Sequence, residues 1–152
     1  MLRQYAGAGN ATNTASSTLP LANLIGTAAI MPEITEFTIG SDAVASNAAK
    51  YALQRGTTIG GGWGSAITPA AQGPVTTAAL TTMNSGGAAT GPTLTANTIL
   101  YQVGLNQQAT YRWLANPGSG IFVLQAAAAC VNLLSLVAAV AFNAVYTFVW
   151  SE

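Results

Sequence analysis

Hydrophobic and polar positions alternate most regularly in the second half of the chain. In "TANTILYQVGLNQQ", Ile99, Tyr101, Val103 and Leu105 alternate with Leu100, Gln102 and Gly104, and in "ATYRWLANPGSG" Tyr111 and Trp113 flank Arg112. A period of two puts successive side chains on opposite faces of a strand. Joined by "NQQ", the two runs predict a hairpin, and Asn116-Pro117-Gly118-Ser119-Gly120 predicts a turn after it. The same period marks "LIGTAAIMPEITEFTIG", which reads as two short strands separated by Pro32. Phe37 and Ile39 point to one face of the second, Glu36 and Thr38 to the other. "SDAVASNAAKYALQRGTT" is open to two readings. One is a helix capped by Ser41 or Asp42 and ended by Gly56. The other is a loop to about residue 48, then a strand with Tyr51, Leu53 and Arg55 alternating with Lys50, Ala52 and Gln54. The β character of the chain downstream favours the strand.

Between these patterned stretches the chain loses its period. Residues 1–23, rich in Ala, Thr, Asn, Ser and Gly, read as an extended arm, and they lack the continuous apolar core of a secretory signal. Residues 59–92 read as a long loop of Gly, Pro, Ala and Thr inside a single domain spanning 24–152. "GGGWG" within it lacks the Lys and Ser/Thr of a phosphate-binding loop, so its expected role is to present Trp63 at the surface as a contact point.

The last third, "GIFVLQAAAACVNLLSLVAAVAFNAVYTFVW", is uncharged and long enough to raise the question of a membrane helix. As one helix, residues 120–150 would extend roughly 46 Å, well beyond a hydrocarbon core of about 30 Å. No Lys or Arg flanks the C-terminal side of the run, and "NPGSG" stops a helix from extending back beyond about residue 120. The final stretch is built of β-branched and aromatic residues, with Val140, Phe142, Tyr146, Phe148 and Trp150 on one face and Asn143 and Thr147 on the other. Three segments are therefore expected: a strand in "GIFVLQ", a strand or short buried segment in "CVNLLSLVAAV", and a terminal strand. Burial of both faces is expected, one in a core and one under a loop or a neighbouring subunit.

Charge narrows the function classes. Charged residues are 5% of the chain, against about 25% in ordinary soluble domains. Arg3, Lys50, Arg55 and Arg112 balance Glu33, Glu36, Asp42 and Glu152. Proteins that grip nucleic acid neutralise several phosphates at once, so four scattered cations argue against such a partner. A neutral, charge-poor surface argues instead for one covered by copies of itself or by other partners. With no histidine the commonest metal ligand and general base are missing, and one cysteine builds neither a disulfide nor a zinc site. Cys130 is expected to be a buried small hydrophobe. Glu33 and Glu36, three apart on a strand, are expected on opposite faces as solvated charges. No catalytic residue, metal or cofactor is expected, and the chain reads as a non-enzyme.

The segments "TANTILYQVGLNQQATYRW" with the following "PGSG", and "NAAKYALQR", resemble small structural proteins of tailed phages. With the terminal strand they cover about half of the chain, and none is a catalytic signature. The resemblance implies a compact all-β sandwich, jelly-roll-like or Ig-like, carried on the virion, with head decoration as the leading role. It implies as partners other copies of the chain and a major capsid protein, and it makes a membrane location the least favoured. A small coat protein forming the shell itself and a host-surface or glycan-binding module are the alternatives. Trp63, Tyr111, Trp113 and Trp150 are the expected interface or core aromatics.

Overall fold

A computed structural model describes residues 3–74, 77–116, 118–138 and 141–152. Among them there is no helix; the elements are β1 (Gln4–Asn13), β2 (Ala22–Ile25), β3 (Glu33–Ser41), β4 (Ala48–Gly56), β5 (Ser65–Ile67), β6 (Ala70–Ala71), β7 (Thr82–Ser85), β8 (Leu94–Asn106), β9 (Tyr111–Leu114), β10 (Ile121–Phe122), β11 (Cys130–Ala138) and β12 (Phe142–Ser151). They form two antiparallel sheets. The first runs β10-β3-β12-β1-β6, with β9 also paired to β3, and the second runs β5-β7-β2-β11-β4-β8.

Setting aside β10 and the strands β5, β6 and β7 of the 59–92 segment, the orders become β9-β3-β12-β1 and β2-β11-β4-β8. Successive strands change sheets from β1 to β4, stay in one sheet from β4 to β8, and change again through β9, β11 and β12. That order defines an eight-stranded jelly roll and sets the Ig-like alternative aside.

The apolar tail supplies the middle of each sheet. Along β12, Phe142, Ala144, Tyr146, Phe148 and Trp150 are buried, while Asn143 and Val145 between them are exposed. Each large side chain among the buried ones contributes roughly 1.5–3 kcal/mol. Phe148 meets Phe37 with ring centroids 5.0 Å apart, and Trp150 stacks on Tyr5 at 6.2 Å. Val140, expected on the same face, lies outside the described residues, as does Pro117 of the turn. β11 is buried on both faces over Cys130–Ser135. Val131 and Leu133 enter the core, while Cys130 and Asn132 lie under the loop after β4. Of the strand expected in "GIFVLQ", only Ile121–Phe122 pairs, along β3.

Four expectations are corrected. The stretch read as an arm contains an inner strand: β1 pairs with β12 from Gln4↔Ser151 to Asn13↔Phe142, and β2 follows at Ala22. Its Ala and Gly residues carry no β signal of their own. Gly7 and Gly9 are small because the other sheet comes close, so that a Cβ on Gly9 would lie 2.8 Å from that of Ser85. The expected hairpin does not form, since β8 pairs with β4 in one sheet and β9 with β3 in the other. The turn between them crosses the sandwich. It is held by Gln107, whose backbone N–H donates to Asn47 O and whose side-chain amide donates to Ala45 O. The expected 59–92 loop carries β5, β6 and β7, which extend both sheets along the edge formed by β1 and β2. Finally, Ile99 leaves the face of Tyr101. The β4–β8 register shifts between Leu53↔Tyr101 and Gln54↔Ile99, so Leu100 is an extra residue and Ile99 turns outward, 48% exposed.

Candidate functional site

The four expected aromatics separate by role. Trp150 is core, with no exposure. Trp63 is half-buried rather than presented, because its indole N–H donates to Ile59 O at 3.0 Å and draws the ring onto its own loop. Tyr111 and Trp113 project from β9 toward β8 and remain half-buried. There Tyr101 lies 6.1 Å from Tyr111 and 5.8 Å from Trp113, centroid to centroid. The hydroxyls of Tyr101 and Tyr111 hydrogen-bond to each other. That contact, with burial, pushes the Tyr101 phenol up to about 12. Val103 and Leu105 complete an apolar flank along β8. Leu114, 62% exposed, lies instead on the outer face of β9. This flank is where the two sheets lie open, since the opposite flank is closed by β5, β6 and β7.

The outer face of the first sheet carries a groove of about 850 Å³. It brings together Glu33 and Glu36, which were expected on opposite faces. Between Glu36↔Val149 and Ile34↔Trp150 the register shifts, making Thr35 a bulge that restores both carboxylates to one side. Arg112 forks onto Glu36, Nε to Oε1 at 2.7 Å and Nη2 to Oε2 at 2.9 Å. These bonds hold the Glu36 carboxyl below its ordinary range. Glu33 Oε1 accepts the N–H of Gly120 at 2.7 Å, fastening the turn beside it. The carboxylate of Asp42 accepts the backbone and side-chain N–H of Asn143, both at 2.8 Å, and is likewise held low. These carboxylates fasten strands and turns.

On the second sheet the segment after β4 folds over β2 and β11. Asn23 Nδ2 donates to Ile59 O at 3.1 Å and Cys130 Sγ to Thr58 O at 3.3 Å. Beneath it Gln54, Asn132, Asn23 and Asn84 lie in register across four strands, so the Gly-rich loop covers a row of amides. Cys130 is buried as expected, and burial pushes its thiol up, away from the thiolate that nucleophilic chemistry needs. Among the described residues no three His, Cys, Asp or Glu side chains gather to hold a metal, and no helix is long and apolar enough to cross a membrane. The β8–β9 flank and its crossing turn escaped the sequence reading. Its signal was present in the adjacent Tyr and Trp runs but was assigned to a single sheet.

Compared with protein-family models, curated proteins and solved structures, the chain finds no match in any of the three.

Proposed function

We propose that the protein is a non-catalytic structural component of a phage virion, a decoration or cement protein that stabilises the head by burying its own surface against neighbouring subunits. The observation that carries this reading is the character of its outside. Four basic and four acidic side chains serve all 152 residues, while Val44 is 94% exposed, Leu114 62%, Leu80 54% and Met31 50%. Large apolar side chains on a surface this poor in charge are suited to being covered. Each 1,000 Å² of apolar area so buried contributes about 25 kcal/mol before association and ordering costs remove much of it. The jelly-roll order agrees with the reading, since capsid subunits use it, though lectins and cupins do too.

The same strand order favours a second reading, in which the chain builds the shell itself. The charge count supports decoration: a shell in contact with its genome gains from a basic inner face, and this chain has only four basic residues. Quantitative mass spectrometry of purified particles of the phage that encodes the chain tests both. Decoration predicts hundreds of copies beside a larger, separate capsid protein. Abundance with no larger capsid protein would transfer the assignment to the shell, and absence from the particle would overturn the virion reading.

A further inference from the structure

We propose that β8 is a self-association edge, along which a second copy of this chain adds its own β8 antiparallel about a two-fold axis to continue the second sheet. β8 is the last strand of that sheet and, among the described residues, pairs only with β4. Among the described residues, no hydrogen bond outside that ladder reaches the backbone between Ile99 and Leu105. A sheet edge presents free N–H and C=O groups to any strand that fits, and folds usually blunt it with short strands, charges, proline or bulges. The other outer strands here are blunted in that way, with β5 at three residues, β6 and β10 at two each and β9 at four. On β1, beyond β6, the hydroxyl of Ser85 caps Asn10 O. β8 runs for 13 residues without a charge or a proline. Its bulge at Leu100 and the left-handed Asn97 (φ 58°) interrupt only the first half, leaving Tyr101–Asn106 regular.

The strand matches its own reverse. With Val103 facing Val103 of the second copy, Tyr101 faces Leu105 and Gln102 faces Gly104. Apolar side chains then meet on the core face, and polar or small ones on the outer face. Tyr101, Val103 and Leu105 are only partly buried in the single chain, because no strand flanks them. A second copy completes their cover and that of Tyr111 and Trp113 beneath. Charge does not oppose the pairing. The nearest cation in the sheet, Lys50, lies opposite Gly104 on β4. The two copies of Lys50 would stand three strand spacings apart, about 14 Å, beyond a Debye length of about 10 Å at 0.1 M salt. Six regular residues give an edge roughly 20 Å long over two layers about 10 Å apart. That contact lies at the small end for specific dimers, so association belongs in the micromolar range.

The inference rests on the assembly reading for its purpose but not for its test. Sedimentation equilibrium on the full chain reads the association directly, with paired charge variants as controls. Gln102 is exposed, and a Cβ on Gly104 would meet nothing within 4 Å, so both positions accept long side chains in the monomer. The double variant Gln102→Glu/Gly104→Glu adds a carboxylate opposite Lys50 within the chain, yet sets carboxylate against carboxylate across the two-fold. Gln102→Lys/Gly104→Lys sets cation against cation across the two-fold and also against Lys50 within the chain, so its fold is checked by circular dichroism beside the wild type. The wild type is expected to show a reversible monomer–dimer equilibrium. Each variant is expected to remain folded with a dimer constant at least tenfold weaker, and an equal mixture of the two to restore dimers. A wild type that stays monomeric overturns the proposal. So does a Glu variant that associates as tightly as wild type, or a mixture that stays monomeric. Absence of the chain from virions would overturn the functional reading and leave this result untouched.

Discussion

Tyr51 shows how far a single side chain can report on this fold. Its ring is 2% exposed in the core, and its hydroxyl accepts the Asn13 amide N–H at 3.2 Å. Burial pushes the phenol up to about 12 from its ordinary 10. A raised phenol means that folding favours the neutral form. The associated stability is therefore complete below about pH 10 and lost as pH rises toward 12, by roughly 2 kcal/mol. Urea midpoints measured from pH 8 to 12 are expected to fall across that window in the wild type and to fall less steeply in Tyr51→Phe; parallel curves would contradict the burial. Tyr51 was legible in the sequence as one side of an alternating strand. Trp63 and Trp113 were legible as residue types but not as roles, because what buries an aromatic ring is a strand or loop distant in sequence.

At the scale of elements, legibility followed the size of the side chains. β12 could be read directly, since every second residue from Phe142 to Trp150 is buried and large apart from Ala144. β1 could not, since "QYAGAGNATN" offers only Tyr5 as a large inward residue and owes its strand to ten paired positions on β12. Bulges were equally silent: Thr35 and Leu100 each reverse the parity of what lies beyond them, and no residue type announces the reversal. The short turn between β8 and β9 suggested a hairpin because length alone does not say whether a chain turns within a sheet or crosses to another. Residues 107–110 suffice for the crossing, as sheets pack about 10 Å apart and four residues reach roughly 13 Å. The inner position of β1 makes a sharp prediction. Removing residues 1–13 is expected to abolish cooperative unfolding, because it bares the flank of β12 along its whole length. A truncated chain melting within a few degrees of the full one would restore the arm.

For the molecule as a whole, the apolar third and the shortage of charge have a common explanation. β11 and β12 sit at the centres of two sheets with strands on both sides, so the most hydrophobic segment of the chain is the least accessible. Several of the charges that remain fasten turns and edges. Arg112 grips Glu36 on the first sheet, and the carboxylate of Glu152 accepts the N–H groups of Leu80 and Thr81. What is left outside is neutral and partly apolar, which suits a subunit among subunits. All of this depends on β11 and β12 being central strands in water. Amide hydrogen exchange of the detergent-free protein, read by mass spectrometry, measures it most directly. Peptides covering Cys130–Ala138 and Phe142–Ser151 are expected to exchange last in the chain, with the β8 edge exchanging early. Rapid exchange across both tail peptides, or protection that appears only when detergent or lipid is added, would contradict the account.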